Sequence, residues 1–399
     1  MAATEDPRES AAVVPAYEET HPRLGPLAAL TQAALALPIL IASARAGAAQ
    51  VGEVGIAALG YKERGLIKVT EPVLWGKLAI DDVWEFEASG ALDIVTGASP
   101  ELVTNLSGTP VQSVTGASIN DRRRTTEVRA KRRFGDFALA VSRAVSNEED
   151  YRSHAYSVQG EANFDERRTT VALGIGRSND RIGSSIDPLL DERRTTREYL
   201  AGVTRVLSPL ALVQSTVTLS RGRGWFNDPY KSTLTFYPDE NLPVLFPDRR
   251  PDHRNALAWL TRYRQHFPAA NGTLQADYRY FRDDWGIRAH TLEVAWQQDL
   301  GDRWSVRPAL RYYTQSAADF YAPVVPRPRP EILSSDQRLA AFGGVSPSLR
   351  VILRLEGGLT VEGTAGYVYD ARSLRPGGGS DAFTALRAVY GILSLSRAF

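Results

Sequence analysis

Apolar and polar residues alternate along this chain in segments of ten to sixteen residues. In the segment 84–94, the even positions include Trp84 and Phe86, whereas the odd positions include Glu85 and Glu87. A side-chain period of two is the signature of a β-strand, and these segments are about twice the length of an ordinary soluble strand. Strands of this length cross a bilayer when they are tilted. The pattern therefore predicts membrane-crossing strands with one apolar face and one polar face.

Composition excludes several classes of function. The chain of 399 residues contains no Cys, which excludes disulfides, thiolate metal sites, thiol nucleophiles and a lipid-modified cysteine. Its formal net charge is +1, so it offers no general field that would attract nucleic acid. We therefore expect no nucleic-acid partner.

The connections between the segments alternate in length. About sixteen segments are recognisable, with fourteen to eighteen as the range, and every second link is short. The predicted short turns are at 81–82, 135, 165–166, 208–209, 268–271, 300–302 and Pro347, and the long links include 96–119, 179–191, 224–250, 315–334 and 370–381. Outer-membrane barrels have short periplasmic turns and long external loops. Residues 50–399 are thus predicted to form an all-β fold, an antiparallel transmembrane β-barrel of about sixteen strands in the bacterial outer membrane.

The first 49 residues are typical of a leader. Residues 24–41 are almost wholly apolar or small, Arg23 precedes them, and small residues surround Ala46. This order is that of a signal peptide, with cleavage expected near residues 46–49.

The chain ends in an alternating segment that finishes with Phe399. Val389, Leu393 and Leu395 share a face with it. This ending resembles the terminal aromatic signal by which barrel proteins address the outer-membrane insertion machinery, although Arg397 departs from the pattern. The expected partners are therefore outer-membrane lipid, the insertion machinery through Phe399, and a periplasmic partner that the sequence does not identify.

Several short motifs resemble a family of proteobacterial outer-membrane proteins catalogued as domain of unknown function 3570. The motifs are residues 96–100; 116–119 with Asp121 and Arg122; Ser146, Glu148, Asp150, Tyr151 and Ser153; 227–231; Arg250, Pro251, Asp252 and Arg254; 283–286 with His290 and Thr291; and 318–321. The chain departs from the family at Thr96, where Ser is commoner, and at Arg168, where Asn is favoured. The resemblance implies an outer-membrane barrel and no particular substrate.

Two sets of charged residues are candidate site residues on this topology. Polar faces of the strands are predicted to line the pore with Glu85, Glu87, Asp93, Asp277, Arg279, Glu293, Arg307 and Arg311. The external mouth is predicted to carry Asp121, Glu148, Glu149, Asp150, Asp228, Asp252, Asp283, Asp284 and Asp319. Charge rings select solutes in barrels, so these residues indicate either a charged constriction or a salt-bridged latch that packs loops over the lumen. A divalent cation at 147–150 is a weaker hypothesis, because the spacing is not that of a calcium loop.

The leading functional hypothesis is a conduit for a small polar solute, porin-like or part of an export path. The alternative is a barrel plugged by the 224–250 loop that acts as a binding or assembly scaffold. A surface hydrolase built on His154, His253 or His290 is a third hypothesis, without a spacing signature to support it. Gly377, Gly378 and Gly379 lack the strand-to-helix context of a phosphate cradle, and we expect neither a cofactor nor a metal nor catalytic residues.

Overall fold

Sixteen long strands form one closed antiparallel barrel in the computed structural model. The structure describes residues 51–97, 100–104, 111–114, 119–237, 242–323 and 329–399. The leader predicted over residues 1–49 lies outside the described residues and stays a prediction. Among the described residues, no helix has the length and apolar character of a membrane-spanning helix. The predicted fold class and strand number are confirmed.

Each barrel strand contains eleven to seventeen residues. The barrel strands are β1 (Val51–Glu63), β2 (Ile67–Ile80), β3 (Trp84–Gly97), β6 (Ile119–Phe134), β7 (Phe137–Asn147), β8 (Tyr151–Phe164), β9 (Thr169–Ile182), β10 (Glu192–Ser208), β11 (Ala211–Gly224), β14 (His253–Phe267), β15 (Gly272–Asp283), β16 (Arg288–Leu300), β17 (Trp304–Gln315), β18 (Phe342–Arg354), β19 (Leu359–Ala371) and β20 (Leu386–Ala398). Two hairpins lie outside the barrel sheet, β4 (Pro100–Thr104) with β5 (Val111–Val114), and β12 (Ser232–Tyr237) with β13 (Leu242–Pro247). Short 3-10 turns occur at Pro268–Ala270, Gln337–Leu339, Glu356–Gly358 and Arg372–Leu374.

The barrel closes where its first strand pairs with its last. β1 and β20 run antiparallel, with Ile56 opposite Leu395. Gly52 and Phe399 exchange two backbone hydrogen bonds of 2.8 and 2.9 Å beyond the end of the ladder. Closure leaves no edge strand whose N–H and C=O groups would face lipid without partners.

The two ends of the barrel differ in the length of their connections. At one end, which we call the turn rim, consecutive strands are joined by two to four residues, as at 81–83, 135–136 and 209–210. Asp81 and Asp82 both have positive φ, 53° and 54°, as a tight hairpin turn requires. The opposite end, the loop rim, carries all of the long connections and both extra hairpins. This asymmetry predicts that the loop rim is the external side.

The turn predicted at Pro347 is wrong. Pro347 lies within β18, opposite Leu310 of β17, and the β18–β19 ladder is interrupted between Val345 and Ser348. Proline has no N–H to give to a ladder, and it is tolerated here because the pairing is already broken. The turn is instead at residues 355–358, where the two glycines have φ of 73° and 76°. The two strands that this turn joins are therefore β18 and β19, and neither ends at Pro347.

The outer surface of the barrel is apolar and ends in an aromatic girdle at the turn rim. Large hydrophobic side chains such as Leu173, Leu310 and Leu393 are more than half exposed although they lie in the middle of the sheet. The exposed aromatic residues at the turn rim are Trp84, Phe134, Phe137, Phe164, Phe267, Trp304 and Phe399. An apolar belt bounded by aromatic rings is the outside of a barrel embedded in lipid. The predicted location in the bacterial outer membrane is confirmed.

Candidate functional site

The lumen wall near β3 is built from ion pairs between neighbouring strands. Glu85 and Glu87 both lie 3.5 Å from the Lys77 ammonium of β2. On the other side, β6 contributes Arg133, 3.2 Å from Glu85, and Arg129, 3.7 Å from Glu87. Side-chain alternation places all of these groups on the inner face, because Trp84 and Phe86 occupy the outer one. Both glutamates therefore lie where the sequence placed them.

Asp93 connects the lumen wall with the mouth. Its carboxylate accepts a hydrogen bond from Arg123 Nε, and the same nitrogen lies 3.8 Å from Glu148 Oε1 in the β7–β8 loop. The structure thus brings a predicted pore residue and a predicted mouth residue to one guanidinium.

The wall from β14 to β18 is rich in arginine. Asp277 is paired with Arg264 and, at 3.7 Å, with Arg262. Glu293 is 3.0 Å from Arg307. The guanidinium groups on this wall outnumber its carboxylates; they are Arg262, Arg264, Arg279, Arg307, Arg311, Arg350 and Arg354, against Asp277, Glu293 and Asp299, with Glu362 on the neighbouring strand β19. A barrel wall of this kind presents a net positive surface to solutes.

Two predicted pore residues are held by aromatic rings. The Arg279 guanidinium lies 5.4 Å from the centre of the Phe281 ring, and that of Arg311 lies 5.8 Å from the centre of the Tyr313 ring. Such contacts orient a cation without neutralising its charge. All eight predicted pore residues point into the lumen, and their role in selecting solutes stays a prediction.

The connection between β11 and β14, which we call the lid, is fixed by buried charges. The lid comprises the described residues 225–237 and 242–252. Its Asp228 accepts a hydrogen bond of 2.7 Å from Arg338, which belongs to the β17–β18 loop. Its Arg250 donates to Asp248 at 2.6 Å and to Asp336 at 2.9 Å. We call these five residues the latch, because they join two loops that the sequence separates by more than eighty residues.

Local turns hold the latch residues in place. Asp336 caps the 3-10 turn Gln337–Leu339 by accepting the Arg338 N–H at 3.1 Å. Asn227 accepts the Arg250 N–H at 2.7 Å, and Asp228 accepts the Tyr230 N–H at 3.0 Å. Asp and Asn are suited to such turns because their short side chains reach backbone N–H groups two residues away.

The latch carboxylates respond differently to burial. Burial alone would raise the pKa of Asp336, but the charges of Arg338 and Arg250 outweigh it and hold that pKa well below its usual range. Burial raises the pKa of Asp248, and the charge of Arg250 only partly offsets the rise. Asp336 is therefore the ionised centre of the latch, whereas burial disfavours the ionised form of Asp248.

We expect mild acid to leave the latch closed. A lowered pKa means that the contribution of Asp336 is present above its usual pKa and is lost only as the pH falls through the lowered value. A raised pKa means that Asp248 weakens the closed lid at neutral pH, and that this penalty disappears on protonation. Protease protection of the lid at about pH 5 should therefore equal or exceed that at about pH 7.5. Asp248→Asn should remove any gain, and release of the lid at pH 5 would contradict this reading.

Aromatic packing also joins the two loops that the latch connects. Phe226 of the lid makes an edge contact with Trp285, at 5.7 Å between ring centres, and Trp285 makes another with Phe320 at 5.2 Å. Trp285 and Leu339 are buried in the same cluster. The lid and the β17–β18 loop therefore share a small apolar core.

The lid extends across the external mouth. It begins at β11, which is eight places from β1 in the ring of sixteen strands, yet Lys231 is within electrostatic range of Glu63 at the end of β1. Tyr230 hydrogen-bonds Asp150 of the β7–β8 loop and contacts Ser185 of the β9–β10 loop at 3.0 Å. Contacts with opposite sides of the ring place the lid over the lumen.

Two predicted mouth acids, Asp283 and Asp284, join the end of β14 to the β15–β16 connection. Asp283 pairs with Arg254 at 2.7 Å and accepts the N–H of Ile287 at 2.9 Å. Asp284 binds both the backbone and the amide of Asn255, at 2.9 and 2.7 Å. These contacts fit the latch interpretation better than a ring of free charges.

The remaining mouth residues are less tightly held. Asp319 is exposed and packs against Gly286, where a Cβ would approach its carboxylate to 2.2 Å. Asp252 is exposed and lies 2.9 Å from His253, and Glu149 is exposed. The side chain of Asp121 lies outside the described part of the chain. Within that part, no group of three His, Asp or Glu side chains is arranged to hold a metal.

Three of the five latch residues, Asp248, Asp336 and Arg338, are not among the site residues predicted from the sequence. The available signal was a repeated spacing, Asp-x-Arg, at residues 248–250 and 336–338. Neither copy indicates by itself that the two would meet.

The candidate catalytic histidines face outward. His290 Nδ1 is 2.8 Å from the Tyr278 hydroxyl, its ring also contacts Tyr280, and the side chain is exposed on the outer face. This is the position of an interfacial girdle residue. His154 is likewise exposed on an outward position of β8. These two positions give the hydrolase hypothesis no support. His253 is exposed and lies 2.9 Å from Asp252 and 3.8 Å from Asp284, and a catalytic role for it stays a hypothesis.

The comparison with protein families agrees with the motifs. The family model described as Protein of unknown function (DUF3570) matches residues 27–192 and 184–378. Among solved structures, a bacterial polysaccharide outer membrane secretin is 10% identical, with a TM-score of 0.47 over 87% of this chain and 98% of that one. CdiB from Acinetobacter baumannii is 6% identical, with a TM-score of 0.49 over 87% and 60%. OccK8 (OprE) from Pseudomonas aeruginosa is 8% identical, with a TM-score of 0.41 over 88% and 97%. No curated protein matches the chain.

Proposed function

The chain belongs to the outer-membrane family described as Protein of unknown function (DUF3570), and we propose that it is a gated conduit for a small polar solute. The solute would pass along the charged lumen when the lid moves away from the external mouth. The observation that carries this proposal is the position of the latch: a connection held by a few charged contacts lies over a polar lumen.

Partial exposure of the wall charges supports a water-filled lumen below the lid. Lys77, Glu87 and Glu293 keep 29%, 31% and 33% of their side-chain surface exposed although they point inward. Charges packed into a dry interior would be shielded more completely. A wet and charged passage suits a polar solute better than an apolar one.

Planar-bilayer recording tests the conduit. The full barrel should give rare or small single-channel steps, whereas a variant in which a Gly-Ser linker replaces residues 226–251 should give frequent steps of several-fold larger conductance. This replacement removes the latch residues Asp228, Asp248 and Arg250. Heat-modifiable mobility on gels serves to show that both proteins are folded barrels. Silence from a folded, lid-deleted barrel would reject the conduit.

The alternative function is a plugged barrel that serves as a binding or assembly scaffold. The burial of the latch favours this alternative, since the side chains of Asp336 and Arg250 are almost wholly buried and separating such a pair costs free energy. Recordings of the intact barrel distinguish the two functions, because a plugged scaffold stays silent while its lid is in place, whereas a gated conduit shows openings.

Replacing arginines on the β14–β18 wall should change ion selectivity. In the lid-deleted barrel, the double change R307A and R311A removes two inward positive charges, and the preference for anions over cations should fall by a factor of about two or more. Reversal potentials in a salt gradient measure this. R303A is the matched control, because Arg303 is exposed at the turn rim beside Glu356 and should not alter selectivity.

Removal of Phe399 should impair assembly. We propose that this residue is read by the insertion machinery, and in the folded barrel its backbone closes the seam with Gly52. Its deletion should lower the yield of heat-modifiable barrel in the outer membrane several-fold. Phe399→Trp keeps an aromatic ring and should assemble normally, while equal yields from the deletion and the parent would exclude this role.

A further inference from the structure

Three arginines stand side by side on the outer surface of the barrel. The strand register places Arg177 of β9 opposite Arg197 of β10, and Arg197 opposite Arg221 of β11. All three are exposed, and their neighbours along each strand, Ser178, Thr196 and Gly222, are buried on the inner face. The row therefore lies on the surface that faces lipid.

This row lacks negative partners. Like charges directly opposite each other destabilise neighbouring strands. Arg177 donates to the Asn179 amide oxygen at 3.1 Å, and among the residues that the structure describes no carboxylate forms an ion pair with any of the three arginines. An external anion would remove the repulsion.

A second row of arginines lies nearer the loop rim on the same face. Arg181 is opposite both Arg152 of β8 and Arg193 of β10. Arg181 contacts the carboxylate of Asp191 at 2.6 and 2.8 Å, and Arg193 is within electrostatic range of the same carboxylate. We call the six residues of the two rows the arginine patch.

Apolar residues lie directly below the arginine patch. Tyr199 is opposite Ile175 on one side and Leu219 on the other, and all three are exposed on the outer face. The row below contains Leu173 and Val217, which are also exposed. On three adjacent strands the surface thus changes from apolar to basic at the same level. That level is a boundary between acyl chains and headgroups.

We infer that the arginine patch binds the phosphate groups of the anionic glycolipid of the outer leaflet, lipopolysaccharide, while its acyl chains cover the apolar rows. The patch is at the loop rim, which faces the exterior. Guanidinium groups form bidentate hydrogen bonds with phosphate, and cross-strand neighbours about 5 Å apart can share one phosphate group. A phosphorylated lipid supplies both the negative charge and the apolar chains that this surface requires.

Binding to the detergent-solubilised barrel tests the inference without any variant. Lipopolysaccharide should bind saturably, and the same lipid after enzymatic dephosphorylation should bind at least tenfold more weakly. Inorganic phosphate should fail to compete at equal concentrations, because it lacks the acyl chains. Equal binding of the two lipids would overturn the inference, and equal binding of inorganic phosphate would replace the lipid site by a simple anion site.

A charge-matched pair of variants locates the site. The triple variant R177Q, R197Q and R221Q should bind lipopolysaccharide at least tenfold more weakly than the parent. The control variant R167Q, R303Q and R397Q loses the same charge from exposed residues at the turn rim and should bind within twofold of the parent. Equal loss in both variants would show a general charge effect and overturn the assignment. All six residues are exposed, and heat-modifiable mobility verifies the fold of each protein.

Discussion

Asp336→Ala should release the lid. The substitution leaves Arg338 and Arg250 buried without their shared carboxylate, and breaking a buried ion pair in this way costs about 3–5 kcal/mol. The equilibrium between the closed and the released lid should shift by more than about a hundredfold, since about 1.4 kcal/mol is a factor of ten. Hydrogen exchange of the described lid amides should accelerate, and open-channel time in planar bilayers should increase.

Arg249→Ala is the control for this release. Arg249 and Glu331 join the same two loops, but they lie 3.7 Å apart with 59% and 85% of their side chains exposed. An exposed pair of this kind contributes at most about 1 kcal/mol. Lid exchange should therefore stay close to that of the parent. Equal acceleration in R249A and D336A would mean that the buried charges do not hold the lid.

Val217→Arg should strongly destabilise the barrel. Val217 is near the middle of β11 and faces lipid, between Ala201 and Trp259 of the neighbouring strands. An arginine near the midplane of a bilayer costs about 2–4 kcal/mol on the lipid face. The free energy of unfolding, measured by reversible denaturation in lipid vesicles with tryptophan fluorescence, should fall by this amount.

Thr218→Arg is the matched control, one residue further along the same strand. Thr218 faces the lumen, where its cross-strand neighbours are Leu200 and Ala258, so the new charge has access to water. It should cost less than about 1 kcal/mol, because lumen positions do not contact lipid. If both variants lost the same stability, the assignment of inner and outer faces would be wrong.

The barrel could be predicted because its information is local. Alternation along one strand is enough to place Glu85 inside and Phe86 outside, and no knowledge of the partner strand is needed. The short turns were equally readable where Asp or Gly supplies positive φ, as at Asp81 and Gly135. The turn prediction at Pro347 failed because proline is usually a turn residue, whereas here it lies where the β18–β19 hydrogen-bond ladder is interrupted.

The pairs of residues that form the latch and the arginine patch could not be predicted because both depend on long-range geometry. Arg338 meets Asp228 across 110 positions of the sequence, through loops without any periodicity. The row containing Arg197 depends on strand register, and a slip of one residue would turn those side chains to the other face. Composition shows many arginines, but only the pairing shows which of them are neighbours.

The seam between β1 and β20 has a consequence for biogenesis. Because β1 pairs with β20, the barrel cannot close until the last strand has been made. Any shorter intermediate has two unpaired edge strands. The unpaired backbone groups of such an open sheet have to be kept out of the bilayer interior. We therefore expect the strands to enter the membrane together after synthesis, rather than one by one during synthesis.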